Sequence, residues 1–350
     1  MSSSQIKIAK ILDLLMTDRF DHHVLGIGNA IVDVLSLTED DFLLREGLAK
    51  GSMNLIDTAR AEELYALMGA ATEASGGSAG NTVAAIGSLG GKGAFFGKVC
   101  DDTLGQFYRH DMRALGMTFD TEPLPNGGTP TARSMILITP DGERTMNTFL
   151  GACVELGPDD IDEQIVAKSA IAYFEGYLWD PPMAKDAFRK AADISHAHGR
   201  KVSITLSDSF CVDRWREEFL GLIKDGTVDI LLANEAEIKA LYQTSDLDTA
   251  LKLIQKDCPL TAVTHGEQGC FVISSDGGIV SVPTTPVERL IDTTGAGDMF
   301  AAGFLYGHAL GLPNETAASI GNLAAGEVLG HIGPRPQRNL YQLAQQAGLL

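Results

Sequence analysis

Along the chain, short runs of apolar residues alternate with stretches in which apolar positions recur every three or four residues. The runs are "HVLGIGNAIVDV", "GAFFGKV", "AIAYFEGYLW", "KVSITL", "VDILLAN", "LTAVTHG" and "GCFVISS". Between several of them lie amphipathic stretches, among them 182–198, 235–242 and 247–256. A run of four to eight apolar residues fits a strand buried on both faces, and the intervening periodicity fits helices packed on it. The pattern therefore predicts an α/β fold with a doubly wound, mainly parallel sheet. In such sheets ligands sit beyond the carboxyl ends of the strands.

Two stretches break the alternation. Residues 34–56 and 116–149 lack long helical periods, and "TARSMILITPDGERTMNTFL" alternates like an antiparallel hairpin around the turn signal "PDGE". They are assigned to a small discontinuous β lid, and residues 1–33, 57–115 and 150–350 to the α/β core. The segment 1–20 reads as a surface helix, because Asp13 interrupts its apolar run.

Charge and cysteine content narrow the function classes. With 350 residues and a net charge of −19, and with no run of Lys and Arg, the chain would repel a nucleic-acid backbone. No membrane partner is expected either. Five cysteines without metal or disulfide spacing read as buried small apolar groups, in keeping with a cytoplasmic protein. The eight histidines show no metal spacing. The sequence leaves monomer and homodimer open.

Chemistry concentrates in "DTTGAGDMF". A helix N-terminus carries unpaired amides and the positive end of the helix dipole, and Gly295, Ala296 and Gly297 let an anion approach them closely. Asp298 beside that hole is either a helix-capping acid or a general base that takes a hydroxyl proton while the amides steady a transferring phosphoryl group.

"DTTGAGDMFAAGFLYG" resembles the C-terminal signature of the PfkB, or ribokinase-like, family of carbohydrate and nucleoside kinases. "GGSAGNTVAAIGSLGGKGAFFGKVCDDTLG" resembles its N-terminal signature, with Cys100 where glycine is usual. The likeness runs over about residues 24–336 and implies a ribokinase-like fold with a β lid, and Asp298 as the base. It also implies that Asn29, Asp33, the backbone at Gly76 and Gly77, and Asn81 hold hydroxyls of an acceptor. By the same resemblance Asn234, Thr264, Gly266, Gly269, Asn322 and Ala325 line the site of ATP. Glu237 of "NEAE" would order Mg²⁺ through water, and the carbonyls of Asp292 and Thr294 would hold K⁺. Arg144 on the lid is a candidate partner for the γ-phosphate, the alternative being a solvated lid arginine.

Tyr177 and Phe210 end probable strands and resemble positions at which adenosine kinases of the family surround the base, with Met146 closing from the lid. The alternative is that both rings pack in the core. The nucleoside reading implies ATP-dependent phosphorylation of a 5′-hydroxyl, adenosine becoming AMP. A sugar or sugar-acid kinase and a non-catalytic ligand sensor are the competing readings. "GIGNAIVD" fails as a dinucleotide fingerprint because Ile31 stands at the third glycine position, and no GxxxxGK[ST] occurs.

Overall fold

The computed structural model describes residues 20–284, 286–287 and 289–350. The N-terminal segment expected to be a surface helix lies outside the described residues.

Eight strands form the main sheet: β1 (His22–Ile27), β5 (Gly93–Phe96), β8 (Ser169–Glu175), β9 (Lys201–Thr205), β10 (Ile230–Asn234), β11 (Leu260–Thr264), β12 (Cys270–Ser274) and β13 (Gly278–Val282). Their spatial order is β13-β12-β11-β10-β9-β8-β1-β5. The six strands from β5 to β11 are parallel, and β12 and β13 add an antiparallel hairpin at one edge. Successive residues of β1 point to opposite faces: Val24 joins the apolar cluster under the helices Ser78–Ser88, Ala296–Ala309 and Asn314–Val328. Leu25 and Ile27 join the cluster under Pro182–Ala197, Ser209–Lys224 and Leu247–Asp257. Burial on both faces is what the near-continuous apolar runs encode.

The second sheet has the order β3-β7-β6-β2-β4, from Met53–Leu55, Arg144–Phe149, Ala132–Ile138, Ile31–Leu37 and Ala71–Ser75. β6 and β7 form the antiparallel hairpin around "PDGE". The boundaries differ from those read in the sequence. The sheet takes in Ile31–Asp33, and β4 lies in the stretch assigned to the core. β4 is an edge strand exposed over most of its length, so it has no buried face to impose alternation. Conversely, Thr118 and Leu124 bridge to Ala94 and Cys100 beside the main sheet instead of joining the small one.

One face of the small sheet rests on the core through Val32 and Val34. The alternating residues Ile31 and Asp33, with Met53, Leu55 and Met146, line a cavity. All five cysteines are buried and free, as expected. Among the described residues no helix is long and apolar enough to cross a membrane.

Candidate active site

The helix Ala296–Ala309 begins at Gly295, whose φ of +80° puts it in the left-handed region. A Cβ there would lie 2.5 Å from the carbonyl oxygen of Pro334, so both backbone and space require glycine. Gly297 faces open space. Ala296 and Gly297 line a cavity of about 440 Å³ together with Thr264, Gly266, Gly269, Asn322 and Ala325.

Asp298, three residues into this helix, does not cap it. Its Oδ1 accepts from Ser78 Oγ at 2.6 Å and its Oδ2 from Asn81 Nδ2 at 3.1 Å, both on the helix Ser78–Ser88. Ser78 lines a second cavity, of about 690 Å³. Asp298 thus links the helix start that lines the smaller cavity to Ser78, which lines the larger one. Burial raises its pKa to about 6, against the lowering pull of Ser78, Asn81 and the Arg335 guanidinium. At neutral pH it is largely ionised and able to accept a proton.

The larger cavity holds most of the residues assigned to an acceptor: Asn29, Asp33, Gly77, Met146, Tyr177 and Phe210. Gly77 has φ +84°, and a Cβ would meet the Asn29 carbonyl oxygen at 2.0 Å. Tyr177 is half-buried, its hydroxyl 3.4 Å from the Ser207 carbonyl oxygen. Phe210 is 75% exposed at the start of its helix, which removes the core-packing alternative for that ring.

Two expected acceptor residues sit elsewhere. Asn81 is buried and its amide is taken up by Asp298 and by Arg335 Nε, which donates to its Oδ1 at 3.2 Å. Gly76 is spent on packing: its Cα gives room to the Asp33 carboxylate, and its carbonyl accepts from Tyr108.

Glu175, at the end of β8, was not anticipated. It is buried and accepts from the amides of Asn29 and Ala79 and from the Asn29 side chain. An acid closing an apolar strand was the available signal. Burial, with a smaller push from the nearby Asp298 charge, raises Glu175 and Asp33 to about 7. Ser78 stood inside a motif already singled out. Arg335 had no local signal, since the residues it meets lie more than 220 positions away.

Arg144 is neither solvated nor open to a phosphate. From β7 it reaches the loop before Gly295, where its Nη2 lies 2.5 Å from Asp292 Oδ2 and its Nη1 donates to Thr294 Oγ1 at 3.3 Å. Asp292 also accepts from the amides of Thr294 and Gly333. Its carboxylate therefore ties the small sheet, the anion-hole loop and the segment around 333 together.

The smaller cavity contains the expected nucleotide residues except Asn234. Asn234 and Glu237 form a capping box: Asn234 donates to Glu237 from backbone and side chain, and the Glu237 amide returns a bond of 2.9 Å. Asn322 Nδ2 donates to the carbonyls of Val282 and Pro283, holding the cavity wall. Among the described residues no group of three or more His, Cys, Asp or Glu could hold a metal ion. Glu237 is buried, lines neither cavity and has both oxygens occupied by Asn234, and burial with the Asp208 charge raises it to about 7.

The sequence matches the pfkB family carbohydrate kinase over residues 48–339. Among solved structures, an adenosine kinase from Sinorhizobium meliloti is 57% identical with a TM-score of 0.87, covering 94% of this chain and 99% of that one. A probable sugar kinase protein from Rhizobium etli is 53% identical with a TM-score of 0.88, covering 95% and 99%. The adenosine kinase of Saccharomyces cerevisiae is 24% identical over 330 residues, 88% of this chain and 95% of the yeast protein. A side-chain-free helix start on one cavity, followed directly by a carboxylate bonded to a residue of the other, suits phosphoryl transfer, and the chain belongs to the pfkB family of carbohydrate kinases, phosphotransferases with an alcohol acceptor.

Proposed function

We propose that this kinase transfers the γ-phosphoryl group of ATP to the 5′-hydroxyl of a nucleoside, adenosine, giving AMP and ADP. The observation that carries the acceptor assignment is that the 690 Å³ cavity is walled by apolar and aromatic side chains as well as polar ones. Asn29 and Asp33 among the polar ones suit the hydroxyls of a ribose, with Glu175 holding Asn29 from behind. Met53, Leu55, Met146, Tyr177 and Phe210 suit a flat base, and stacking on such rings adds about 0.5–1.5 kcal/mol beyond area burial. A free sugar would leave that wall uncovered. The likeness to the S. meliloti adenosine kinase supports the same reading.

ATP occupies the smaller cavity, its γ-phosphate at the amides of Ala296, Gly297 and Asp298, with Thr264, Gly266, Gly269 and Ala325 along its length. Asp298 takes the proton of the acceptor hydroxyl; the oxygen bonds to the γ-phosphorus as the bond to the ADP oxygen breaks. Mg²⁺ bound with the nucleotide would neutralise phosphate charge, and Glu237, held by Asn234, is the residue that would order its water. K⁺, if taken up, would be held by the carbonyls of Asp292 and Thr294. Arg144 joins the lid to that loop, so closure over the acceptor and shaping of the hole are one event.

The test is ADP release with adenosine, inosine, guanosine, ribose, fructose and 2-keto-3-deoxygluconate, with Asp298→Asn as blank. Strong turnover on adenosine is expected. Turnover confined to a sugar would refute the acceptor assignment and return the apolar wall to a purely structural role. Binding of adenosine without any ADP release would favour the sensor.

A further inference from the structure

Asp298 holds its position without help from its own loop, whose residues 295–297 have almost no side chains. Its two oxygens are fixed from the helix Ser78–Ser88, and one of the two donors, the Asn81 amide, can swing: a carboxamide turned by half a rotation would present its oxygen to Asp298. That rotamer is blocked by Arg335. Its Nε donates to Asn81 Oδ1 at 3.2 Å, so Nδ2 must be the atom facing Asp298.

Arg335 is itself anchored. Its Nη1 donates to Asp111 Oδ2 at 3.1 Å, and Ser75 Oγ donates to the same oxygen. The backbone that presents it is clamped on both sides: the Gly333 amide donates to Asp292 at 2.9 Å, and the amides of Gln337 and Arg338 donate to Glu327, whose side chain is 3% exposed. The guanidinium itself is held by Asn81 and Asp111, and the other bonds fix the backbone and the acid that present it.

Resting on the reading of Asp298 as base, we propose that Arg335 is a positioning residue for phosphoryl transfer, acting through Asn81 to fix the orientation of the Asp298 carboxylate. The guanidinium has a second effect through space. The charged and titratable groups facing Asp298 are Asp33 from the small sheet, Glu175 and Tyr173 from β8, and Arg335, with Arg144 acting on Asp33. Two of these are acids, Tyr173 is kept neutral by burial, and Arg335 is the cation that holds Asp298 down and, with Arg144, Asp33. Removing it raises the pH at which the base is lost.

Arg335→Met is expected to lower kcat about tenfold or more with a KM for ATP within about threefold, and to move the acid limb of the rate profile up by about one pH unit. Combined with Asn81→Ala, it is expected to cause little further loss of kcat, because the link it acts through is gone. Additive losses in the double variant would overturn the proposal, as would an unmoved acid limb with unchanged kcat. If Arg335→Met does not fold, Arg335→Lys serves instead: it keeps the charge but lacks the Nε donor, so kcat should fall with the acid limb in place. Full turnover of that variant would also overturn the proposal. Near-normal turnover of Asp298→Asn would instead sink the reading of the base, so the two failures are distinguishable.

Discussion

Replacing Asp298 with asparagine separates chemistry from stability in a way the site geometry makes quantitative. The amides of the anion hole remain and the proton acceptor goes, so turnover should fall by about 10²- to 10⁴-fold with nucleoside binding retained. Stability should move differently. The carboxyl titrates at about 6 in the folded protein instead of at 3.8, chiefly because it is buried. Between those pH values the folded chain keeps a proton that the unfolded chain has released, so the aspartate's contribution to stability falls as pH rises through that window and is flat above it. Two units correspond to about 3 kcal/mol, reduced by solvent screening because the residue is only half-buried. Asparagine has no such pH dependence, but its amide group would face the Asn81 Nδ2 donor, costing about 1–2 kcal/mol. At neutral pH the variant should therefore be at least as stable as the wild type within about 1 kcal/mol. Urea unfolding of both proteins at about pH 4.5 and 7.5 should show the wild type losing about 1–2 kcal/mol relative to the variant over that interval. A pH-independent difference would refute the buried-carboxylate account, and turnover within threefold of wild type would refute the base.

For the wild type, kcat/KM on the best acceptor should fall about tenfold per unit below pH 6, where Asp298 is protonated; a profile flat to pH 5 would contradict this. Arg144→Ala leaves Asp292 in a buried site without its ion-pair partner, so both stability, by about 2–4 kcal/mol, and kcat should drop, read by denaturation and by saturation kinetics. An unchanged kcat would confine Arg144 to scaffolding. Phe210→Ala should raise KM for adenosine about fivefold or more while thermal stability stays within about 0.5 kcal/mol, since the ring is exposed; equal effects on adenosine and ribose would remove the stacking assignment. Gly77→Ala should lose nucleoside binding and at least about 2 kcal/mol of stability, because its Cβ would overlap the Asn29 carbonyl.

Local motifs were readable because their chemistry is local. "GAGD" announces a helix start that tolerates an anion whatever surrounds it, and "GGSAGN" carries both Ser78 and Asn81. The error in the second case was the direction of Asn81: nothing in the segment says that its amide turns toward an acid 217 positions on. "NEAE" illustrates the opposite hazard, since an NxxE spacing is also that of a capping box, and here the two residues satisfy each other. The six parallel strands were legible from burial on two faces. β4, with "ATEAS" exposed at a sheet edge, had no buried face to write a pattern. Glu175 and Arg335 were missed for a related reason: each has partners distributed over several segments, and pairing at long range leaves no periodicity.

The composition of the 295–298 loop explains why so much of the site lies outside it. An anion hole needs bare backbone, and bare backbone cannot brace itself. The bracing comes from Asp292 on one side, tied to Arg144 of the small sheet and to the Gly333 amide. It comes from Pro334 packed where a Cβ on Gly295 would sit, and from Ser78 and Asn81 on the other side. Burial raises three acids, Asp33, Glu175 and Asp298, toward neutral pH, and the Asp298 charge adds to the rise at the other two. Arginines brought in from the lid and from the segment after the last long helix limit that repulsion. The helix start is therefore only the visible part of the catalytic apparatus, and substitutions that never touch a ligand, at Asp292, Asn81 or Arg335, should be felt first in kcat.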